Sequence, residues 1–185
     1  AWTATSGSLP ISGSNRPRLI ANCWNRIVQA GITTDPHNWF VSKVFDAHNW
    51  LENTNDPLGA VAGNNSSQGQ IGDVVTGLAP LNDDTLMFGC DHTLEVMKGD
   101  PNFGGRRYIL SKAIGMAFGE AFCHDPYGNF YFVSNRMGIY RCEPPGYMPQ
   151  RMSQQIEQLV KDVNTGTHTI RLIWDDRFQG LHVFI

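Results

Sequence analysis

The 185-residue sequence contains no apolar run approaching the ~20 residues that a membrane-spanning helix requires, which excludes helical insertion into a bilayer. It has no excess of basic charge: 14 Lys+Arg stand against 17 Asp+Glu, a net charge of −3, so recognition of a phosphate backbone is not its main role. Charge of either sign is scarce, at 17% against about 25% in average domains. Disorder is excluded as well, because 41% hydrophobic and 11% aromatic content supplies a packed core at this length. Cysteine is sparse and unpatterned. Cys23, Cys90, Cys123 and Cys142 form no C-x-x-C pair and no zinc-ligand spacing; each lies in or beside an apolar run and reads as a small buried hydrophobe.

Catalytic motifs are missing too. No G-x-S-x-G elbow occurs, the six histidines and scattered serines form no legible triad, and the loop Gly99 to Gly105 lacks the Lys-Ser/Thr end of a P-loop. The chain is therefore expected not to be an enzyme, and to hold no cofactor and no metal. No basic segment followed by an apolar one stands at the start, as a secretory leader would require.

What is present is punctuation. With 19 Gly and 10 Pro spread along its length, the sequence separates short runs rich in Val, Ile, Leu, Phe and Tyr, the pattern of an all-β chain. Leu19 to Cys23 and Arg26 to Gly31 read as a hairpin around Trp24-Asn25, with Trp39 to Phe45 as a third strand. Val74 to Leu81, Thr85 to Cys90 and Thr93 to Gly99 form a second group, and Gly119 to His124, Phe130 to Ser134 and Gly138 to Cys142 a third. Ile170 to Trp174 and Leu181 to Ile185 begin a fourth. Ala60 to Gly72 and Gly99 to Gly105 read as loops. Ser153 to Val163 alone has helical spacing, with Ile156, Leu159, Val160 and Val163 on one side and Ser153 as N-cap.

The groups repeat. Leu78, Asp84, Leu86 and Phe88 match Phe122, Gly128, Phe130 and Phe132 at an offset of 44 residues, and Leu94 matches Ile139 at 45. In the first group Asn25, Ile27 and Gln29 take the corresponding places. This period is that of a four-stranded propeller blade, in which small antiparallel sheets bury their faces against one another. The expected fold is thus all-β and β-propeller-like, a single domain over 1–185 with blade-like units at about 18–58, 73–115, 119–152 and 168–185. A β-sandwich is the alternative. The last unit holds only two strands, so the chain is expected to be a piece of a longer polypeptide or to work beside a partner that supplies further strands.

Several of these segments resemble a group of propeller-like proteins of bacteriophages. The resemblance is carried by Arg26-Ile27-Val28-Gln29-Ala30-Gly31, Asp35-Pro36-His37-Asn38-Trp39 with Ser42, and Ile71-Gly72-Asp73-Val74-Val75-Thr76-Gly77-Leu78. Leu86-Met87-Phe88-Gly89-Cys90, Lys98-Gly99-Asp100-Pro101, Ala121-Phe122-Cys123 and Gly138-Ile139-Tyr140-Arg141 extend it from about residue 18 to the end. It implies a component of a virion or tail assembly, touching protein partners or copies of itself, and implies no catalytic residue.

Local chemistry reads the same way. Asp35-Pro36-His37-Asn38-Trp39 and Asp46-Ala47-His48-Asn49-Trp50 offer His and Asp to a metal, but their spacing is that of no compact ligand set, and Asx turns anchored by a Trp account for them better. Asp83-Asp84 and Asp175-Asp176 sit where turns demand Asp rather than where a glycosidase would place its carboxylates. Arg106-Arg107 reads as a solvated basic pair. A second function class is a glycan-binding propeller, in which Trp39, Trp50 and Tyr127 are the aromatics expected to stack on sugars or touch a partner.

Overall fold

The computed structural model describes residues 4–7, 9, 15–53, 55–136, 138–152, 163–164 and 167–185. Among the described residues every helix or strand assigned is a strand, and no helix is long and apolar enough to cross a membrane. The expected helix Ser153 to Val163 lies outside them, except for Val163, which packs half-buried against the core.

Short strand β1 (Ser6–Gly7) pairs in parallel with β5 (Asn49–Trp50). Sheet 1 follows, antiparallel, from β2 (Leu19–Cys23), β3 (Arg26–Ile32), β4 (Asp35–Val41) and β6 (Val61–Ala62). Sheet 2 consists of β7 (Val75–Asn82), β8 (Thr85–Cys90), β9 (Leu94–Lys98) and β10 (Arg106–Ser111) in chain order. Sheet 3 repeats the plan with β11 (Phe122–His124), β12 (Phe130–Val133), β13 (Ile139–Cys142) and β14 (Pro149–Arg151). Sheet 4 is the pair β15 (Arg171–Asp175) and β16 (Gly180–Phe184). The strand groups expected from sequence thus each form their own sheet, and among the described residues no ladder joins one group to another.

Sequence reading missed the outer strands. β6 lies inside the segment expected to be loop, while β10 and β14 carry Arg106, Arg107, Gln150 and Arg151 where apolar alternation was sought. Edge strands with one solvated side tolerate charge, which blunts their free hydrogen-bonding edge. Strand β4 also starts earlier than expected, because Asp35 to Asn38 are extended and the turn falls at Thr33-Thr34.

The sheets pack face to face in chain order. Successive side chains on a strand point to opposite faces, and the central strands use both. On β8, Leu86, Phe88 and Cys90 enter a core shared with Val28, Ala30 and Trp39 of sheet 1, whereas Met87 enters the core shared with sheet 3. On β12, Phe130 and Phe132 face sheet 2, while Tyr131 and Val133 face sheet 4, where Tyr131 stacks on Trp174 with ring centroids 5.5 Å apart. Each such buried side chain stabilises by roughly 1.5–3 kcal/mol. Positions related by the 44-residue offset therefore do the same job: Leu86 and Phe130, like Phe88 and Phe132, pack on the preceding sheet.

The sheets also share one direction. Trp24 and Asn25 adopt φ of 54° and 56° in the tight β2–β3 turn, both of them positive as a two-residue type I′ hairpin demands. Trp24 is compensated by burial and by donating from Nε1 to the Asp84 carbonyl in the β7–β8 turn at 2.9 Å. At the opposite end, Asn135 Nδ2 lies 2.8 Å from Asp91 Oδ1 and ties sheet 3 to sheet 2. Between sheets 2 and 3, Met116 fills a niche over the cross-strand pair Gly77 and Gly89; a Cβ on Gly89 would lie 2.6 Å from its Sδ.

Sheets 1 and 2 are joined by a buried ion pair. Arg26, its side chain removed from solvent, donates from Nε to Asp100 Oδ2 at 2.7 Å, from Nη1 to the Ser42 and Gly59 carbonyls at 2.8 and 2.6 Å, and from Nη2 to Pro57 O at 2.9 Å. Removing one partner of such a pair leaves an uncompensated buried charge, at a cost of about 3–5 kcal/mol. Asp100→Ala is expected to lower unfolding free energy by about 3 kcal/mol, the carbonyls retaining part of the interaction, and the apolar double replacement Arg26→Met with Asp100→Leu is expected to cost at least as much, because it leaves the Ser42, Pro57 and Gly59 carbonyls without their donor. Urea unfolding midpoints check both.

Candidate functional site

The first strand of every sheet is an edge strand, and all four border one cavity. Leu19 and Ala21 of β2, Leu78 and Pro80 of β7, Phe122 of β11 and Leu172 of β15 wall a space of about 430 Å³. Arg18, Glu120 and Arg171 add charge to the same wall. Arg18 is held by donating from Nε to Gly31 O at 3.0 Å and by lying 4.5 Å from the Phe118 ring centroid. None of the three charged residues was singled out from sequence; the only available signal was their place beside the first strand of a unit.

A second feature lies at the end where the β2–β3, β7–β8, β11–β12 and β15–β16 turns emerge. Every sheet carries an exposed aromatic there: Phe45 (83% exposed) after β4, Phe103 (59%) before β10, Tyr127 (72%) in the β11–β12 turn and Phe178 (71%) in the β15–β16 turn. Their turns are built to stay in place. Phe45, at φ 57°, donates its N–H to Asn25 O at 3.0 Å, and Phe103 N donates to Asp100 O at 2.9 Å. Phe178 N donates to Asp175 Oδ1 at 3.3 Å, while His182 Nε2 approaches Asp175 Oδ2 at 3.1 Å.

The Tyr127 turn has the most buried support. Asp125 accepts from the Tyr127 and Asn129 backbone N–H groups, both at 2.9 Å, from Asn129 Nδ2 at 2.6 Å and from the Tyr131 hydroxyl at 3.1 Å. Burial pushes the Asp125 carboxyl pKa upward, but hydrogen bonds from Asn129, Tyr131 and Tyr127 outweigh it and hold the group below the usual carboxylate range.

Of the three aromatics expected to touch a ligand, only Tyr127 is exposed. Trp39 and Trp50 are buried, donating from Nε1 to Gly69 O at 3.1 Å and to Ala47 O at 3.0 Å. They are anchors, and the expectation that they stack on sugars is corrected: an indole with its N–H satisfied inside a core has no free face. The neighbouring Asp and Asn side chains serve the chain itself. Asp35 Oδ2 accepts from Asn38 Nδ2 at 2.8 Å, and Asp46 Oδ1 accepts from His48 N at 3.1 Å. Among the described residues no group of three or more His, Cys, Asp or Glu could hold a metal ion. Asp84 N donates to Asn82 Oδ1 at 2.9 Å, and Trp174 Nε1 to Asp176 Oδ1 at 2.9 Å, so both acidic pairs belong to turns. Arg107 is no solvated partner of Arg106: its Nη1 lies 3.0 Å from Glu95 Oε2. Burial pushes the thiols of Cys23, Cys90 and Cys142 up to about 12 and that of Cys123 to about 11, which leaves them protonated and unreactive. No protein-family model matches the chain, and comparison with curated proteins yields no match.

Two outcomes follow from the titratable groups. Because the folded pKa of Asp125 is lowered, its contribution is present above the unfolded value of about 3.9 and is lost as pH falls through the folded value. Asp125→Asn should therefore melt earlier than wild type at pH 7, by about 1 kcal/mol, with the gap closing below about pH 4 in thermal unfolding series. A thiol-titrating disulfide reagent at pH 8 should modify the native protein far more slowly than free cysteine and release four equivalents only after denaturation.

Proposed function

We propose that this chain is a non-enzymatic interaction module, a propeller-like array of small sheets that meets a protein partner through the end bearing Phe45, Phe103, Tyr127 and Phe178. The carrying observation is that each of the four sheets places one aromatic, 59–83% exposed, at this same end. Solvated aromatics on tethered turns lose little conformational entropy on binding and supply the energetic centres of protein interfaces. Acidic Asp83 and Asp84 at the same end add a polar rim. The radial, blade-like reading rests on the first strands converging on one cavity and on the equivalent facing of positions 44 residues apart. A bacteriophage virion or tail assembly is the proposed setting on sequence resemblance alone.

Glycan binding is the second reading, and the exposed Tyr127 ring on its braced turn is what favours it. Cross-linking of the assembly that contains the chain separates the two. Lys43 and Lys98 flank the aromatic end, whereas Lys112 follows β10 at the opposite end. Partner cross-links are expected at Lys43 and Lys98, and the double variant Tyr127→Ala, Phe178→Ala should weaken association by tenfold or more. Cross-links confined to Lys112, or association unchanged in the double variant, would overturn the proposal. A glycan-array signal abolished by Tyr127→Ala would select the second reading.

A further inference from the structure

We infer that the cavity where β2, β7, β11 and β15 converge is a binding site for a small hydroxylated carboxylate of about monosaccharide size. This inference does not depend on the aromatic end, which lies along the turns rather than in the cavity.

Size comes first. A volume of about 430 Å³ falls inside the range of roughly 300–1,000 Å³ typical of small-molecule sites. Charge comes next. The chain has fewer bases than acids, and Arg26, Arg107 and Arg141 each lie 2.7–3.0 Å from a carboxylate of their own. Arg18 and Arg171 border the cavity and, among the described residues, form no ion pair. Arg18 is already fixed through Gly31 O and the Phe118 ring, which spend its Nε and one face but leave its terminal N–H groups. A guanidinium ordered in this way suits a planar carboxylate and binds it with little further loss of rotamer freedom.

The remaining lining defines the body of the ligand. Each bordering strand has a ladder partner on one side only, namely β3, β8, β12 and β16, so its other edge carries main-chain N–H and C=O groups outside any ladder. Those groups and Glu120 suit hydroxyls, which both donate and accept. Pro80 and Phe122 supply apolar surface for the C–H face of a ring. A fully apolar acid would leave Glu120 and the strand edges unmatched, and a neutral sugar would leave both arginines unmatched.

Glucuronate and glucose are the probes, titrated into the 185-residue chain by isothermal calorimetry and by amide NMR shifts. Saturable glucuronate binding is expected, at least about tenfold tighter than glucose, with shifts centred on β2, β11 and β15. Arg171→Gln should lower glucuronate affinity at least about tenfold, and Arg171→Lys should restore part of it. Because Arg171 is exposed, its variants should melt with wild type, which separates lost binding from lost folding. Absence of saturable glucuronate binding, equal affinity for both sugars, or undiminished binding by Arg171→Gln would overturn the inference. Loss of the cross-links at the aromatic end would leave it standing.

Discussion

The guanidinium of Arg26, shut away from water at the start of β3, gathers the β4–β6 connection through the carbonyls of Ser42, Pro57 and Gly59 and the β9–β10 loop through Asp100. No apolar side chain could satisfy those carbonyls, and a buried arginine without Asp100 would carry an uncompensated charge. The two loops it holds bear Phe45 and Phe103, so one buried pair determines where two of the four end-face aromatics stand. Asn102 Nδ2, donating to Gly59 O at 3.0 Å, closes the same junction from the side of sheet 2.

Farther along the chain the same problem is solved without a buried ion pair. Sheets 2 and 3 meet through Met87, Phe130 and Phe132, with Met116 set over the side-chain-free pair Gly77 and Gly89; its backbone N–H reaches Cys90 O at 2.8 Å and its carbonyl accepts from Thr76 Oγ1 at 2.7 Å. Sheets 3 and 4 meet through Tyr131 and Trp174. Both faces of sheets 2 and 3 are covered, which is why β8 and β12 are apolar at nearly every position. The outer face of sheet 4 is different: Ile173 and Phe184 are more than half exposed.

The aromatic end and the cavity divide the chemistry between loops and edges. At the end, aromatics project from turns whose hydrogen bonds are satisfied internally, as Asp125 shows most fully. In the cavity, strand edges keep polar groups outside any ladder beside arginines that, among the described residues, have no carboxylate of their own. An apolar contact surface and an apolar-walled recess bordered by charge therefore coexist on one scaffold.

Alternation and punctuation determined the inner strands of each group in sequence. Leu86-Met87-Phe88 and Phe130-Tyr131-Phe132 announce central strands because side chains buried on both faces must be apolar at successive positions, and the 44-residue offset marks them as equivalents. The Trp24-Asn25 turn and the Asp125 to Asn129 turn were legible for the same local reason, since Asn, Asp, Pro and Gly between apolar runs leave few alternatives. Burial of an individual aromatic was not legible: Trp39 and Tyr127 both stand beside turn residues, and only packing put one inside the core and the other in solvent. Nor could sequence pair Arg26 with Asp100, 74 residues away, or bring Arg18 and Arg171 to one cavity, because those meetings depend on how whole sheets stack. Local periodicity determined the inner strands of each sheet; the tertiary structure decided which segments pair at the outer edges, which charges are buried, which are matched and which aromatics remain free, because each of these is fixed by contacts between segments distant in the chain.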